Sequence, residues 1–196
     1  MKTIVFTGGS SLLAQSWINK KHPGVNFILG IHRRELNEIK YETFQFNYES
    51  VEQLTRQFTK VKADVVINCI GLTNVEECEA NFELAFKTNV TISGNIAQAC
   101  QSNKIKLVHI STDHLFNGCS AFNDEEQLKA PLNNYAKTKS EGEEVVRQNY
   151  SEALIIRTNF FGLGPSYKHS FSDKILNNLQ KGKYSNLFED VYYTPV

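Results

Sequence analysis

Short apolar runs of strand length alternate with helix-patterned stretches along almost the whole of this chain, and that alternation restricts the fold more than any other feature. Thr3 to Thr7 is the first run. It breaks at Gly8-Gly9-Ser10-Ser11, after which Leu12, Leu13, Trp17 and Ile18 recur at helical spacing, so the opening reads as strand, glycine-bearing turn and helix. Val25 to Ile31 and Thr43 to Phe46 predict two further strands, with Arg33 to Lys40 a polar loop between them. Ser50-Val51-Glu52-Gln53 has the order of a capping box ahead of Leu54 and Phe58. Ala63 to Asn68 is an apolar run without alternation, as a strand covered on both faces requires. A helix from about Phe82 to Gln101, a strand Leu107 to Ser111, a helix Asn134 to about Gln148, a strand Ala153 to Arg157 and a helix Phe171 to Leu179 complete the pattern. The predicted architecture is α/β, a doubly wound and mostly parallel sheet.

Composition removes several classes. The chain has 196 residues, enough for one full domain and part of another. Lys+Arg and Asp+Glu balance at 21 each, so no basic field draws nucleic acid or an anionic membrane. The apolar start is too short for a signal peptide, and no segment nears the ~20 apolar residues of a membrane span, which reads as a cytoplasmic protein. Cys69, Cys78, Cys100 and Cys119 form no Cys-x-x-Cys pair and have no histidine at ligand spacing. Neither a metal site nor a disulfide framework is expected.

In such a sheet ligands bind beyond the carboxyl ends of the strands, and three informative segments lie there. The first is Thr7 to Ala14, where small residues precede a helix whose N–H groups and dipole favour a diphosphate; the plainer alternative is a tight turn. The second is Gly30-Ile31-His32-Arg33-Arg34. A carboxylate at this place suits the ribose hydroxyls of NAD and an arginine suits a 2′-phosphate, so Arg33 and Arg34 favour NADP(H), while Glu35 next door keeps NAD(H) open. The third is Ser111-Thr112-Asp113, which precedes Tyr135-Ala-Lys-Thr-Lys139. On a helix, Tyr135 and Lys139 share one face, and a neighbouring cation stabilises a phenolate, which makes Tyr135 a candidate proton donor for a carbonyl reduction beside the Thr112 hydroxyl.

The chain resembles the extended short-chain dehydrogenase/reductase superfamily and, within it, the dTDP-4-dehydrorhamnose reductases and related nucleotide-sugar reductases. The resemblance rests on Thr7 to Ala14, Asp64 to Gly71, Asn74 to Glu79, Lys87-Thr88-Asn89-Val90, Ile110 to Gly118, Pro131 through Glu143, and Ile156 to Gly162, in the order of that family. It implies reduction of a 4-keto nucleotide sugar by hydride from a nicotinamide. Thr112 would polarise the ketone, Tyr135 would protonate its oxygen, and Lys139 would lower the Tyr135 pKa and hold the nicotinamide ribose. Asn89 falls where the superfamily has an asparagine that supports the lysine through water, and an ordinary helix-interior amide is the alternative. Gly8, Ser10, Ser11, Leu12, Leu13, Asn47, Cys69, Ile70 and Gly71 would border the cofactor together with Arg33 and Arg34. Val75, Glu76 and Asn159 would border the sugar, and a homodimer through the long helices is an arrangement the resemblance allows.

Departures from the pattern bear on these expectations. Ser11 and Ala14 stand for the second and third turn glycines of the family, and Asn47 stands for an Asp after the third strand. The family continues well past Val196 into a substrate lobe. Residues 1–165 are therefore expected to form the NAD(P)-binding domain and 166–196 the start of a truncated substrate-binding lobe. An epimerase on the same scaffold is one alternative. A 4,6-dehydratase is disfavoured because His114 occupies the position of its catalytic Glu. A non-catalytic regulatory subunit, of the kind seen in the methionine adenosyltransferase beta subunit, is the alternative from another class.

Overall fold

A computed structural model of the chain describes residues 1–20, 22–31, 41–120, 122–165, 167, 169–187 and 189; Arg33 and Arg34 lie outside the described residues. Contacts divide the chain into two compact units, Met1–Arg157 and Thr158–Val196. The first contains six parallel strands in the order β3-β2-β1-β4-β5-β6. They are β1 (Lys2–Phe6), β2 (Val25–Ile31), β3 (Glu42–Gln45), β4 (Val65–Asn68), β5 (Lys106–Ile110) and β6 (Leu154–Ile156). Val5 is level with Ile28 on one side and Val66 on the other, and Asn68 is level with His109. The order reverses between β1 and β4, which opens a crevice at their carboxyl ends.

Both faces of the sheet are covered, and this explains why its strands read as apolar runs. Val5, Ile28, Val66 and Leu107 point to one face and pack with Leu54 and Phe58 of α2 (Val51–Lys60) and Ile96 and Cys100 of α5 (Ile92–Asn103). The next residue along three of these strands, Phe6, Leu29 and Ile67, points to the other face and packs with Ala14 and Ile18 of α1 (Leu12–Ile18). Leu54 and Phe58 are fully buried; each contributes roughly 1.5–3 kcal/mol on burial. Of the capping box expected at α2, one half forms: Ser50 accepts from the Gln53 N–H at 3.3 Å, but the Gln53 side chain accepts from Asn47 instead.

Two helical features differ from the sequence reading. Residues 82–101 do not form one helix. A short helix α4 (Phe82–Phe86) runs into a π turn (Lys87–Thr91) and only then into α5. The apolar spacing continues across the π turn, so periodicity alone reads through it. Val75–Ala80 forms a helix, α3, that the reading lacks; its sequence, Val-Glu-Glu-Cys-Glu-Ala, is too short and polar to show a period, and its mark is the Asn74 side chain accepting from the Glu77 N–H. The helix α6 (Asn134–Asn149) follows the long connection after β5.

The second unit holds α7 (Phe171–Gln180). Ser170 accepts from the Asp173 N–H at 3.1 Å, and Asp173 accepts from the Ser170 and Gly164 N–H groups, so this helix begins on a complete capping box.

Candidate active site

The turn after β1 is wedged between neighbouring strand ends. A Cβ on Gly8 would sit 2.8 Å from the Cys69 carbonyl oxygen, and one on Gly9 would sit 2.8 Å from Cβ of Leu29. Only glycine fits at either place. The Gly9 N–H donates to the Gly30 carbonyl, and the Ser11 N–H to that of Gly8. Ser11 is the N-cap of α1, its hydroxyl accepting from the Ala14 N–H at 3.2 Å, so the serine found in place of a glycine serves the helix start. Ser10, Leu12 and Leu13 are half-buried beside it.

Beneath this turn lies a buried polar network centred on Asn68. Its amide oxygen accepts from the Thr7 hydroxyl (2.9 Å) and the Ile70 N–H (3.1 Å), and its NH2 donates to Ser93 (3.3 Å) and to Nδ1 of His109 (3.0 Å). The backbone N–H of Ile70 fixes which way this amide faces, and His109 therefore carries its proton on Nε2. That nitrogen is buried and unpartnered. Burial, with the Lys139 charge adding to it, holds the His109 pKa well below the ordinary value, so the ring is neutral.

Asn89 points inward from the π turn. Its oxygen accepts from the Leu72 N–H (2.8 Å), and its NH2 donates to the Leu72 carbonyl (3.1 Å) and the Thr138 hydroxyl (2.9 Å). It thereby clamps the loop after β4, which carries Cys69, Ile70 and Gly71, to α6. A Cβ on Gly142 would lie 2.5 Å from the Asn89 carbonyl oxygen, which shows how closely α6 approaches the π turn.

The structure brings Thr112 and Tyr135 together. Thr112 is 4% exposed, its hydroxyl accepts from the His114 N–H at 3.2 Å, and the His114 and Tyr135 rings meet edge to face with centroids 6.2 Å apart. Burial raises the Tyr135 pKa, the Thr112 hydroxyl pulls it down, and the charge of Asp113 pushes it up again, leaving it above the ordinary value. Lys139 is not among the groups that set this shift. The reason is where the ammonium goes: Lys139 Nζ donates to the Ile110 carbonyl at 2.7 Å. Lys139 is itself pushed down to about 8 by burial, with Glu143 and Cys69 acting in the opposite direction. Burial pushes the Cys69 thiol up to about 12, against the pull of the Ser11 hydroxyl and Lys139.

The remaining expected residues are placed as follows. Val75 and Glu76 lie exposed in the first turn of α3. Asn47 is tied to α2 and its own loop: its N–H and NH2 donate to Gln57 and Gln53, and its side-chain oxygen accepts from the Glu49 N–H. Asn159 belongs to the second unit. Sequence reading missed Asn68, His109, Thr138 and Glu79, the last of which accepts from the N–H (2.7 Å) and the NH2 (2.9 Å) of Asn134, fixing the start of α6 one residue before Tyr135. Among the described residues no group of three or more His, Cys, Asp or Glu is placed to hold a metal, and no helix is long and apolar enough to cross a membrane.

This strand order and the glycine turn at its switch point define an α/β protein of the extended short-chain dehydrogenase/reductase type. The chain belongs to the family of the RmlD substrate binding domain, whose model matches residues 1–196. A probable low-salt glycan biosynthesis reductase, Agl14, of Haloferax volcanii is 30% identical over 96% of this chain and 64% of its own length. A dTDP-4-dehydrorhamnose reductase of Salmonella typhimurium is 28% identical over 81% of this chain and 52% of its own. The crystal structure of a dTDP-4-dehydrorhamnose reductase from Clostridium acetobutylicum superposes with a TM-score of 0.76 at 28% identity, over 91% of this chain and 60% of that one. The chain thus spans between half and two thirds of the length of these relatives.

Proposed function

We propose that this chain supplies the cofactor-binding and proton-donating part of an NADP(H)-dependent reductase of a 4-keto nucleotide sugar. The observation that carries the reading is the placing of Tyr135 edge to face with His114, two residues past a buried Thr112, and one helical turn before a buried Lys139. A phenol held above its ordinary pKa keeps its proton at neutral pH and is ready to give it to a ketone oxygen that becomes an alkoxide. Thr112 orients that oxygen by hydrogen bonding. Lys139, still largely charged at neutral pH with its pKa near 8, stabilises the phenolate left behind and offers its ammonium to a ribose hydroxyl.

Residues of the β1 turn fit a dinucleotide, because the turn stands at the switch point with its backbone pinned between strand ends and no side chain over Gly8 or Gly9. Gly8, Ser10, Ser11, Leu12 and Leu13 would hold the diphosphate, Cys69, Ile70 and Gly71 the adenosine side, and Arg33 and Arg34 the 2′-phosphate, with NAD(H) a weaker fit. A nicotinamide bound there would supply the hydride. Asn89 acts as the clamp that fixes the 69–72 loop against α6. Its contact with a water chain to Lys139 is carried by the resemblance alone, as are Val75, Glu76 and Asn159 at the sugar. A cytoplasmic setting and a homodimer belong to the same reading, the former supported by four cysteines that are all free.

Calorimetric titration with NADPH and NADH, followed by assay of 4-keto nucleotide sugars, tests the proposal. Tyr135→Phe is expected to abolish reduction while leaving NADPH binding within about twofold. Turnover by that variant refutes the assigned acid, and cofactor binding without turnover by the unaltered protein supports a regulatory subunit instead.

A further inference from the structure

Behind Lys139, on the side away from Tyr135, α6 carries a carboxylate that the reaction as described does not use. Glu143 is fully buried in the middle of the helix. Tyr135, Lys139 and Glu143 recur every four residues and so share one helix face. A buried carboxylate requires partners, and Glu143 has two strong ones from other elements. Arg157, just past β6, donates from Nε to both carboxylate oxygens at 3.1 and 3.3 Å and from Nη2 to one at 2.9 Å. Lys129, in the connection after β5, reaches it at 3.4 Å and also reaches Glu144. Arg157 further donates to the Glu125 carbonyl and lies over the Phe116 ring, which draws the connection following Thr112 onto the same anchor.

We propose that Glu143 is a positioning residue for the reduction, an internal counter-anion one turn beyond Lys139 that keeps the Lys139 side chain an ammonium. This rests on the reductase reading above. The other ionisable groups around Lys139 do not substitute for it. His109 on β5 is neutral, the Cys69 thiol beyond β4 is protonated, and Tyr135 on α6 holds its proton. Glu143 remains charged although burial raises its pKa, because the hydrogen bonds from Arg157 and the charges of Arg157 and Lys129 outweigh burial and leave it lowered. Without Glu143, the burial that already brings Lys139 to about 8 acts with little opposition.

The test reads Lys139 directly, by NMR titration of isotopically labelled lysine side chains in the whole chain, with the Lys139 signal assigned by its loss in Lys139→Arg. The unaltered protein is expected to titrate near 8, and Glu143→Gln to titrate about one pH unit or more lower, a tenfold or larger change in the acid constant. Glu143→Asp, which keeps the charge, restores most of the shift. A Glu143→Gln protein that melts earlier but whose Lys139 titrates unchanged has lost only packing, and the proposal is overturned. Should Glu143→Gln fail to fold, the paired replacement Glu143→Met with Arg157→Met is compared with Arg157→Met alone, so that only the carboxylate differs; a lower Lys139 midpoint in the paired variant supports the proposal and an equal one overturns it. Where the protein is active, the alkaline limb of its kcat profile follows the same displacement. An inactive enzyme with a displaced Lys139 titration sinks the reductase reading and leaves the Glu143–Lys139 coupling standing.

Discussion

Replacing Gly142 by alanine tests the packing that holds Lys139 and Asn89 in place. A glycine in a helix interior is usually improved by alanine, by about 1 kcal/mol. Here the added Cβ would stand 2.5 Å from the Asn89 carbonyl oxygen and 3.5 Å from its carbon. That oxygen belongs to the backbone of the π turn and cannot rotate aside. Overpacking of this sort costs about 1–3 kcal/mol. Displacing Asn89 to relieve it also stretches its bonds to Leu72 and Thr138, each worth about 1 kcal/mol. The net expectation is a loss of about 2 kcal/mol and a Tm lower by roughly 4–8 °C for a domain of this size, measured by circular dichroism and urea titration. Gly94→Ala is the internal control. Its Cβ would also clash, but with Cγ1 of Val145, a side chain that can change rotamer, so it should cost no more than about half as much. A Gly142→Ala protein as stable as the unaltered one, or one less affected than Gly94→Ala, would refute the claim that α6 is seated on a rigid π-turn carbonyl.

Three further outcomes are expected. Alanine at both Arg33 and Arg34 should weaken NADPH binding at least tenfold more than NADH binding in a fluorescence titration; equal losses would remove the 2′-phosphate assignment. Because the folded pKa of Lys139, about 8, lies below its ordinary 10.5, the unfolded chain binds more protons between these values. Stability of the unaltered protein relative to Lys139→Met should therefore rise with pH through that window, by up to ~3 kcal/mol, in urea denaturation series at successive pH values. Glu79→Ala removes the acceptor that holds the first residue of α6 and should cost about 1 kcal/mol while lowering kcat severalfold; an unchanged kcat would show that this anchor does not position Tyr135.

Local patterns carried the sheet and the helix that bears the proposed proton donor. Every strand of the observed sheet overlaps a strand expected from the sequence, and the spacing of Tyr135 and Lys139 puts both on the one helix observed. What stayed hidden depends on partners far apart in sequence. Asn68 meets Thr7, Ser93 and His109 only once β1, β4, β5 and α5 are assembled. Nothing in the composition of Lys87 to Thr91 separates a π turn from an α-helix, since its cause is the inward turn of Asn89 toward Leu72 and the approach of Gly142. Ser11, an apparent defect in the glycine turn, acquires its reason only from the Ala14 N–H it caps.

The state of Tyr135 follows the same logic and bears on the direction of the chemistry. Spacing says that Tyr135 and Lys139 share a helix face; it does not say what each is bonded to. With the ammonium on the Ile110 carbonyl and the phenol raised by burial, the pair at neutral pH is a protonated acid beside a charged lysine. Reduction of a ketone requires that protonation state, and oxidation of the alcohol requires the phenolate. On the proposed reading the site is therefore biased toward reduction near pH 7. Deprotonating Lys139 above pH 8 would, on that reading, remove the charge proposed to stabilise the phenolate left by each turnover. The reductive kcat should accordingly fall on the alkaline side as Lys139 titrates, well before the phenol itself loses its proton, and a profile that stays level until the tyrosine ionises would refute that order of events.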